Sequence, residues 1–255
     1  MPKSKAFVPL KSFKPITNER QARKATSEFH GGGGNRSAYQ AASALLTDLH
    51  KTTSKFVFRT VTNLGLRPKA GGDPISTLEV GAVNTQLLDS PFLEVTAIDL
   101  KSRHPRIEER DFFSVPATGE YSMLVLAMVL NCVPTAEKRG EMLTLCRNHL
   151  RDDGLLFFVI PSRCLPGGKR EEFNSRIMSR LGFEVVVEEA TPKVFSTCFR
   201  AVRPPEPLEE TVKFKDGGDL LDIVLHPKGV STTASKEKGS AGHAKKKTKI
   251  VVDAE

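Results

Sequence analysis

The sequence lacks any apolar run long enough to cross a membrane. Its longest such runs, Met123 to Leu130 and Leu155 to Ile160, are far shorter than the ~20 residues that a spanning helix needs. The N-terminus carries no apolar segment of the kind that directs secretion. We therefore expect no membrane partner and no secretion.

Cysteine is scarce, and no two cysteines form a C-x-x-C pair. Three of the four lie in or beside apolar stretches, which predicts buried free thiols of an intracellular protein. The four are Cys132, Cys146, Cys164 and Cys198.

Several motifs of catalysis and nucleotide binding are also missing. The chain has no P-loop, no G-x-S-x-G and no H-E-x-x-H, and its six histidines are scattered, so hydrolytic chemistry and a metal site are not expected. It has no G-x-G-x-x-G either, which favours a small nucleoside ligand over one that contains a pyrophosphate.

Positive charge is concentrated at the two ends of the chain. The net charge is +8, of which residues 1–30 contribute +5 and residues 231–255 contribute +3. The residues between them carry 25 basic and 25 acidic side chains. This distribution predicts tails that attract phosphate irrespective of sequence, and Lys245 to Lys247 could also serve nuclear import.

Composition divides the chain into five parts. A glycine run at Gly31 to Gly34 ends a basic segment, and the prolines of Arg203 to Pro207 are predicted to close the folded body. Beyond Lys228 the chain is too polar to bury a core. The predicted parts are a basic tail (1–36), a helical segment (37–72), the main domain (73–203), a C-terminal extension (204–228) and a disordered lysine-rich tail (229–255).

The apolar pattern of the middle of the chain predicts a parallel sheet covered by helices on both faces. Near-continuous apolar runs indicate buried strands, and apolar residues at helical spacing indicate amphipathic helices. The predicted strands are Ile75 to Val80, Glu94 to Leu100, Tyr121 to Val129, and Leu155 to Ile160 after a turn at Asp152 to Gly154. The predicted helices are 37–50, 54–64, Glu137 to Leu150 and Arg170 to Leu181.

Two further β-rich runs narrow the fold class. Phe183 to Ala190 and Val194 to Val202 are separated by three residues, too few for a helical crossover, so they must pair antiparallel. A mostly parallel α/β sheet with an antiparallel last strand is typical of the class I (Rossmann-like) methyltransferase fold, which binds S-adenosylmethionine. Fold analogy alone makes this an expectation.

The ligand of an open α/β sheet binds beyond the carboxyl ends of the strands. At the end of the first strand, Gly81 lets the backbone approach a ligand, and a helix starting after it would offer free N–H groups. Glu79 would lie close to the ammonium side of the ligand. The alternative is a glycine that only ends a strand.

Two acidic residues follow the next strands. Asp99 lies 18 residues after Gly81, where a carboxylate can accept hydrogen bonds from both ribose hydroxyls, although it could also only cap its loop. Asp111 could accept from an adenine amino group while the ring of Phe112 covers the base. Alternatively, Asp111 is a loop residue followed by core phenylalanines.

Leu130 and Asn131 follow the strand Tyr121 to Val129, where substrate and cofactor methyl meet in this fold. The Asn131 amide could hold the edge of a base, which makes Asn131 the candidate catalytic residue. Cys132 is expected to pack rather than to act as a nucleophile, because no histidine or lysine neighbours it in sequence.

Several stretches between Leu78 and Pro161 carry a resemblance to a known family. They are LEVGAVN, VTAIDL, IEERDFF, LVLAMVLNCVPTAEKRGEML and GLLFFVIP. Together with VIP-x-x-C at Val159 to Cys164, they resemble the fungal nucleolar enzyme that methylates N1 of an adenine in 25S ribosomal RNA. The resemblance covers residues 75–202, and Tyr39 to Ser43 matches a Y-Q-x-A-S stretch of the family's helical segment.

The resemblance implies an S-adenosylmethionine-dependent methyltransferase with Gly81 and Asp99 in the cofactor site. It implies 25S ribosomal RNA or a pre-ribosomal particle as partner and the nucleolus as location, and we expect a monomer. A metazoan relative is an S-adenosylmethionine sensor, so the alternative is a catalytically silent binding protein. A small-molecule methyltransferase would leave the basic tails without a purpose.

Three groups of basic residues near the predicted active edge could contact RNA phosphate or belong to solvated loops. They are Arg103 with Arg106, Lys138 with Arg139, and Lys169 with Arg170.

Overall fold

The computed structural model describes residues 53–102, 104–218 and 220–227. The predicted tails 1–36 and 229–255, the predicted helix 37–50 and Arg103 lie outside the described residues. Among the described helices, none is long and apolar enough to span a membrane.

The main feature of the fold is a seven-stranded sheet with strand order β3-β2-β1-β4-β5-β7-β6. The strands are β1 (Ile75–Val80), β2 (Leu93–Asp99), β3 (Glu108–Glu109), β4 (Tyr121–Ala127), β5 (Leu150–Pro161), β6 (Phe183–Ala190) and β7 (Val194–Ala201). The helices are α1 (53–63), α2 (Ala136–His149) and α3 (Gly167–Phe173), and α3 continues as a π-helix over Asn174–Met178.

The direction of the last strand is confirmed. Strands β1 to β5 pair parallel with one another, whereas β7 pairs antiparallel with both β5 and β6. The three residues between β6 and β7 allow only a hairpin. The predicted α/β sheet with one reversed strand is therefore present, and the reversed strand lies between β5 and the edge strand β6.

The core lies on both faces of the sheet because β4 is apolar from Met123 to Ala127 and β5 is apolar from Leu155 to Pro161. Successive side chains of a strand point to opposite faces, so Phe157 packs against Phe56 of α1, with ring centroids 5.8 Å apart. Its neighbour Phe158 stacks on Phe173 of α3 on the other face, at 5.7 Å. Both β5 rings are fully buried.

The predicted turn at Asp152 to Gly154 is wrong. The helix predicted from Arg170 to Leu181 begins and ends three residues earlier, and the remaining bounds among the described residues, apart from the start of β5, differ by at most two residues. Strand β5 already begins at Leu150 and includes these three residues. Asp153 has φ 60°, and the pairing of β4 with β5 shifts register between Tyr121 and Met123. The D-D-G sequence therefore forms an irregularity inside a long strand, not a loop before a short one.

The prediction that Arg203 to Pro207 closes the folded body is also wrong. The chain returns as an antiparallel hairpin of β8 (Val212–Phe214) and β9 (Ile223–Leu225). Phe214 is buried against Phe173, with ring centroids 5.6 Å apart. The prolines end the main sheet, but the short V-x-F and I-x-L alternations that follow them still supply an apolar face to the core.

One of the four cysteines departs from the prediction of buried thiols. Cys146, Cys164 and Cys198 are buried, but Cys132 is exposed. The Cys132 Sγ donates to the Met128 carbonyl at 3.3 Å. This cysteine belongs to the loop after β4, at the surface of the sheet edge.

Candidate cofactor site

The strand order brings most of the predicted site residues to one edge of the sheet. Because β1 lies between β2 and β4 and all three are parallel, their carboxyl ends meet at the same edge. This edge carries Gly81 after β1, Asp99 at the end of β2 and Asn131 after β4. An edge of this kind, where the order of the strands reverses, is the usual ligand site of an open α/β sheet.

Gly81 adopts a conformation that requires glycine. Its φ is +76°, a region that other residues rarely occupy. A Cβ at this position would overlap the Cγ2 atom of Val129. The Gly81 N–H donates to the Ile98 carbonyl at 2.8 Å, which fixes the loop next to the end of β2. The missing side chain lets the loop pack directly against Val129.

Glu79 is an ionisable group in the core of the sheet. Glu79 is the penultimate residue of β1, and the residue is 6 % exposed. Among the described residues, no hydrogen-bond partner reaches its Oε2 atom, and burial raises the pKa of the carboxyl to about 8. A buried carboxyl oxygen without a partner is costly, so it marks a place where a donor or a cation from a ligand would be stabilising.

The helix expected after Gly81 is absent. Residues 81–92 form turns: the Asp89 N–H donates to the Thr85 carbonyl at 2.8 Å, and the Gln86 N–H donates to the Asn84 side chain at 2.9 Å. Arg106 holds Asp89 at 2.6 Å. The prediction of free N–H groups at a helix N-terminus is therefore wrong, and the β1–β2 connection is a short braced loop.

Asp99 is half-buried at the end of β2. Its Oδ1 atom accepts from the Lys101 N–H at 2.8 Å, and its carbonyl accepts from the Arg110 N–H at 2.9 Å. The carboxylate therefore caps its own loop, as the alternative interpretation held. The same bonds hold the carboxylate in place at the end of β2, the strand that pairs with β1. The contact of Asp99 with a ribose stays a prediction.

Asp111 and Phe112 were each open to two interpretations, contact with an adenine base or a place in the loop and the core. Asp111 is exposed and caps a 3₁₀ turn, because its side chain accepts from the Phe113 N–H at 3.0 Å. Phe112 is only 3 % exposed and packs 5.2 Å from the ring of His149. The prediction that the Phe112 ring covers a base is therefore wrong, since that ring belongs to the core, and only its backbone can face a ligand.

The loop after β4 combines a strained residue with a short 3₁₀ turn. Met128 has φ 60°, and its N–H donates to the Val159 carbonyl at 2.8 Å. The turn Leu130–Cys132 follows. The Leu130 side chain is buried in the core, so any contact of Leu130 with a ligand falls to its backbone, whereas Asn131 is half-buried at the edge.

Sequence reasoning missed the parts played by Met128 and Val129. Both were assigned to a continuous strand because the run Met123 to Leu130 is uniformly apolar. Nothing in that pattern marks the positive φ of Met128, and the contact between Val129 and Gly81 depends on two strands that are distant in sequence.

The described residues fit a cofactor that carries a cationic group beside a nucleoside. The unpartnered Glu79 oxygen suits an ammonium group, and Gly81 turns the chain beside it with a φ of +76°. Asp99 and Asp111 place carboxylates further along the same edge, at the ends of β2 and β3. These four residues are the ones that would hold S-adenosylmethionine.

A cavity lies away from this edge of the sheet. A cavity of about 520 Å³ opens between α3 with its π-helical extension and the edge strand β6. Its lining includes Arg170, Asn174, Met178 and Glu188. None of the predicted cofactor residues lines this cavity. We therefore place the cofactor site at the strand edge because of the chemistry of its side chains.

The basic residues predicted to contact RNA mostly form contacts within the protein. Arg139 is buried, and Arg170 packs over the ring of Phe195 at 4.4 Å. The other three described cations form ion pairs: Arg106 with Asp89, Lys138 with Glu141 and Lys169 with Glu172. Of the two interpretations, RNA contact is the less favoured for these five residues.

The strand order, the reversed β7 and the site at the carboxyl edge define a class I S-adenosylmethionine-dependent methyltransferase. Solved structures of this class share the fold. The 1,6-didemethyltoxoflavin-N1-methyltransferase of Burkholderia thailandensis, crystallised with S-adenosylhomocysteine, has a TM-score of 0.51 at 15 % identity over 75 % of this chain and 94 % of that chain. The CurJ carbon methyltransferase has a TM-score of 0.52 at 14 % identity over 72 % of this chain and 66 % of that chain.

Comparison of the sequence with family models identifies the family of the chain. Residues 23–220 match the model of the family described as 25S rRNA (adenine(2142)-N(1))-methyltransferase, Bmt2, and the chain belongs to this family. No curated protein sequence matches the chain significantly. The predicted resemblance, the S-adenosylmethionine cofactor and the rRNA (adenine-N1)-methyltransferase activity are confirmed.

Proposed function

We propose that this chain acts as a monomer on 25S ribosomal RNA within a pre-ribosomal particle in the nucleolus, and that Asn131 orients the target adenine. The position of Asn131 supports its proposed role in orienting the adenine. It lies in the 3₁₀ turn after β4, two residues from Val129, which touches the Gly81 loop. Asn131 is thus the half-buried polar side chain next to the predicted cofactor position.

The family supports the RNA substrate, and the charge distribution supports a large anionic particle. Both terminal segments are basic while the rest of the chain is neutral. Basic tails increase the rate and strength of association with phosphate without selecting a sequence. A substrate inside a crowded ribonucleoprotein suits this division between a neutral catalytic body and basic ends.

The reaction asks little covalent chemistry of the protein. S-adenosylmethionine supplies an activated methyl group, and the protein has to align it with the nucleophile. Adenine N1 lies on the Watson–Crick edge, so the target base must be unpaired or flipped out. Its lone pair attacks without prior deprotonation, and a base is needed only if an N6 proton is later removed.

The side-chain amide of Asn131 suits the Watson–Crick edge. Its Oδ1 can accept from the adenine N6 amino group and leave N1 free to react. The 3₁₀ turn Leu130–Cys132 fixes this position, because the Val133 N–H donates to the Leu130 carbonyl at 3.2 Å and Leu130 is anchored in the core. The role of Asn131 is therefore orientation, and no proton transfer is assigned to it.

Reverse transcription through large-subunit ribosomal RNA tests the proposal, because N1-methyladenine blocks pairing and stops the polymerase. Cells that carry the wild-type chain should show one stop that disappears on deletion and is restored by the wild-type gene. Asp99→Ala should not restore it, and Asn131→Ala should restore it weakly. Glu94→Gln, at the exposed opposite end of β2, is the matched control and should restore it fully.

Three outcomes would contradict the proposal. An unchanged stop after deletion would favour the silent sensor. Full restoration by Asn131→Ala would remove Asn131 from the mechanism. Unchanged cofactor affinity of Asp99→Ala in calorimetry would show that the ribose binds elsewhere. Fluorescent tagging of the chain tests the nucleolar location, and sedimentation of the purified protein tests the monomer.

A further inference from the structure

Two exposed cations lie on neighbouring turns, on the half of the sheet edge beyond Asn131. Arg163 belongs to the 3₁₀ turn Ser162–Cys164 directly after β5, and Lys193 belongs to the turn between β6 and β7. Both side chains are exposed. We call this pair the basic rim.

The two turns of the basic rim are bonded to each other. The Ser162 N–H donates to the Lys193 carbonyl at 3.0 Å, and the Ser162 hydroxyl donates to the Thr191 carbonyl at 2.7 Å. The adjacent residues Pro161 and Val194 are paired in the sheet. The backbone that carries both cations is therefore fixed at the strand edge and does not need to be ordered by a ligand.

The basic rim continues the line of site residues. Strand β5 pairs parallel with β4, with Ala127 opposite Val159, and the Met128 N–H donates to the Val159 carbonyl. The loop that carries Asn131 and the turn that carries Arg163 therefore leave the sheet as neighbours. Along the edge the order is the predicted cofactor residues, then Asn131, then the basic rim.

Charge pairing separates the basic rim from the other cations of this edge. On the cofactor side, Lys101 pairs with Glu109 at 3.9 Å and Arg110 with Glu108 at 3.3 Å. Among the described residues, no carboxylate lies within salt-bridge distance of Arg163 or Lys193. Exposed cations without an internal partner are the ones available to bind phosphate.

We propose that Arg163 and Lys193 bind backbone phosphates of the RNA strand whose adenine is held at Asn131. This inference rests on the proposed RNA substrate and names the surface that receives it. A nucleotide with its base at Asn131 has phosphates on both sides, and the basic rim lies on the side away from the cofactor residues. Phosphate contacts position a strand without reading its sequence.

Binding of fluorescently labelled, in vitro transcribed 25S ribosomal RNA to the full-length chain tests the proposal. The double variant Arg163→Ala, Lys193→Ala should bind about tenfold more weakly at moderate salt, and the slope of log K against log salt should fall by about one to two. Steady-state methylation should show a raised KM for RNA with kcat nearly unchanged. Cofactor affinity in calorimetry should stay at the wild-type value.

The matched control is the double variant Lys69→Ala, Arg151→Ala. It removes one lysine and one arginine that are also exposed, from the opposite edge of the sheet before β1 and at the start of β5. Its RNA affinity and salt slope should equal those of the wild type. The charge-retaining exchange Arg163→Lys, Lys193→Arg should recover most of the lost affinity.

The outcomes separate this inference from the proposed function. An inactive wild-type chain would defeat the proposed function. An active wild type with an equally active and equally salt-dependent Arg163→Ala, Lys193→Ala variant would overturn the basic rim alone. A defect that appears on intact particles and not on protein-free transcript would assign the basic rim to an acidic protein partner and would also overturn the RNA contact.

Discussion

Gly81 lies directly against Val129, so that no side chain fits between the loop after β1 and the end of β4. A Cβ at position 81 would overlap Val129 Cγ2, and the φ of +76° independently disfavours any other residue. This contact joins the predicted cofactor loop to the segment that carries Asn131. The two halves of the site are therefore built on one packed contact.

The substitution Gly81→Ala should reduce S-adenosylmethionine affinity at least tenfold. The new methyl group must displace Val129, whose branched side chain has few alternative rotamers, and the loop must leave its left-handed conformation. Isothermal titration calorimetry measures the effect. Gly168→Ala is the control, because a Cβ there meets nothing within 4 Å, and wild-type affinity in both variants would show that the Gly81 loop does not hold the cofactor.

The substitution Glu79→Gln should stabilise the cofactor-free protein at alkaline pH. Burial raises the pKa of Glu79 to about 8, so between about pH 4.5 and pH 8 the folded state holds a proton that the unfolded state releases. Wild-type stability therefore falls as pH rises through this window. Urea unfolding at pH 5 and pH 8.5 should show a variant advantage of roughly 1–3 kcal/mol at the higher pH only.

The same carboxyl should make cofactor binding depend on pH. A cationic group placed beside Glu79 favours the ionised form, so binding at pH 7 should release a proton from the wild type and not from Glu79→Gln. Calorimetry in two buffers of different ionisation enthalpy measures this release. Equal apparent enthalpies in both buffers for the wild type would show that Glu79 does not face the cation.

The sequence predicted the sheet well because its signals are local and redundant. Strand β4 is apolar from Met123 to its end and β5 from Leu155 to its end, which is typical of strands buried on both faces. The three residues between β6 and β7 allow only a hairpin. The positions of Gly81 and Asp99 at neighbouring strand ends follow from the same pattern. Parallel pairing then brings them to one edge.

The parts that the sequence did not predict depend on contacts between distant segments. The spacing of Asp111 and Phe112 is the same whether the ring faces a base or the core, and the position of His149 on α2 decides the matter. The charge of Arg139 suggested a surface residue, but β9 covers it. Contacts between side chains that are distant in sequence leave no periodic pattern in a single sequence, so they could not be predicted from it.

His149 should make the protein less stable in acid. The ring is fully buried, both of its nitrogens lack a hydrogen-bond partner among the described residues, and burial lowers its pKa. Below about pH 6.5 the unfolded state binds a proton that the folded state resists, so wild-type stability falls as pH falls through this range.

The substitution His149→Phe keeps an aromatic ring between Phe112 and Tyr121 and removes the titration. Urea unfolding between pH 7 and pH 5 should show a smaller loss of stability for the variant, the difference being at most about 1.4 kcal/mol for each pH unit. Parallel pH profiles of the two proteins would mean that His149 is protonated equally well in both states.

Arg139 ties the C-terminal hairpin to the loop after β4. The residue is 8 % exposed; its Nε donates to the Val133 carbonyl at 3.0 Å, and one Nη donates to the Asp222 carbonyl at 2.8 Å. The next residue, Gly140, has no room for a Cβ because the Val224 carbonyl of β9 occupies that position. The R-G pair of the RGEML motif is therefore explained by the docking of β9 on α2.

The substitution Arg139→Met should lower the free energy of unfolding by roughly 2–4 kcal/mol, because it leaves two carbonyls without a donor. It should also lower kcat at saturating cofactor, since the loop of Leu130 and Asn131 loses its support at Val133. Arg176→Met removes an exposed arginine whose ion pair among the described residues is with Glu172, and should change stability by less than about 0.5 kcal/mol. A normal kcat in a destabilised Arg139→Met protein would show that this arginine only holds the hairpin in place. It would also show that the C-terminal extension does not affect catalysis.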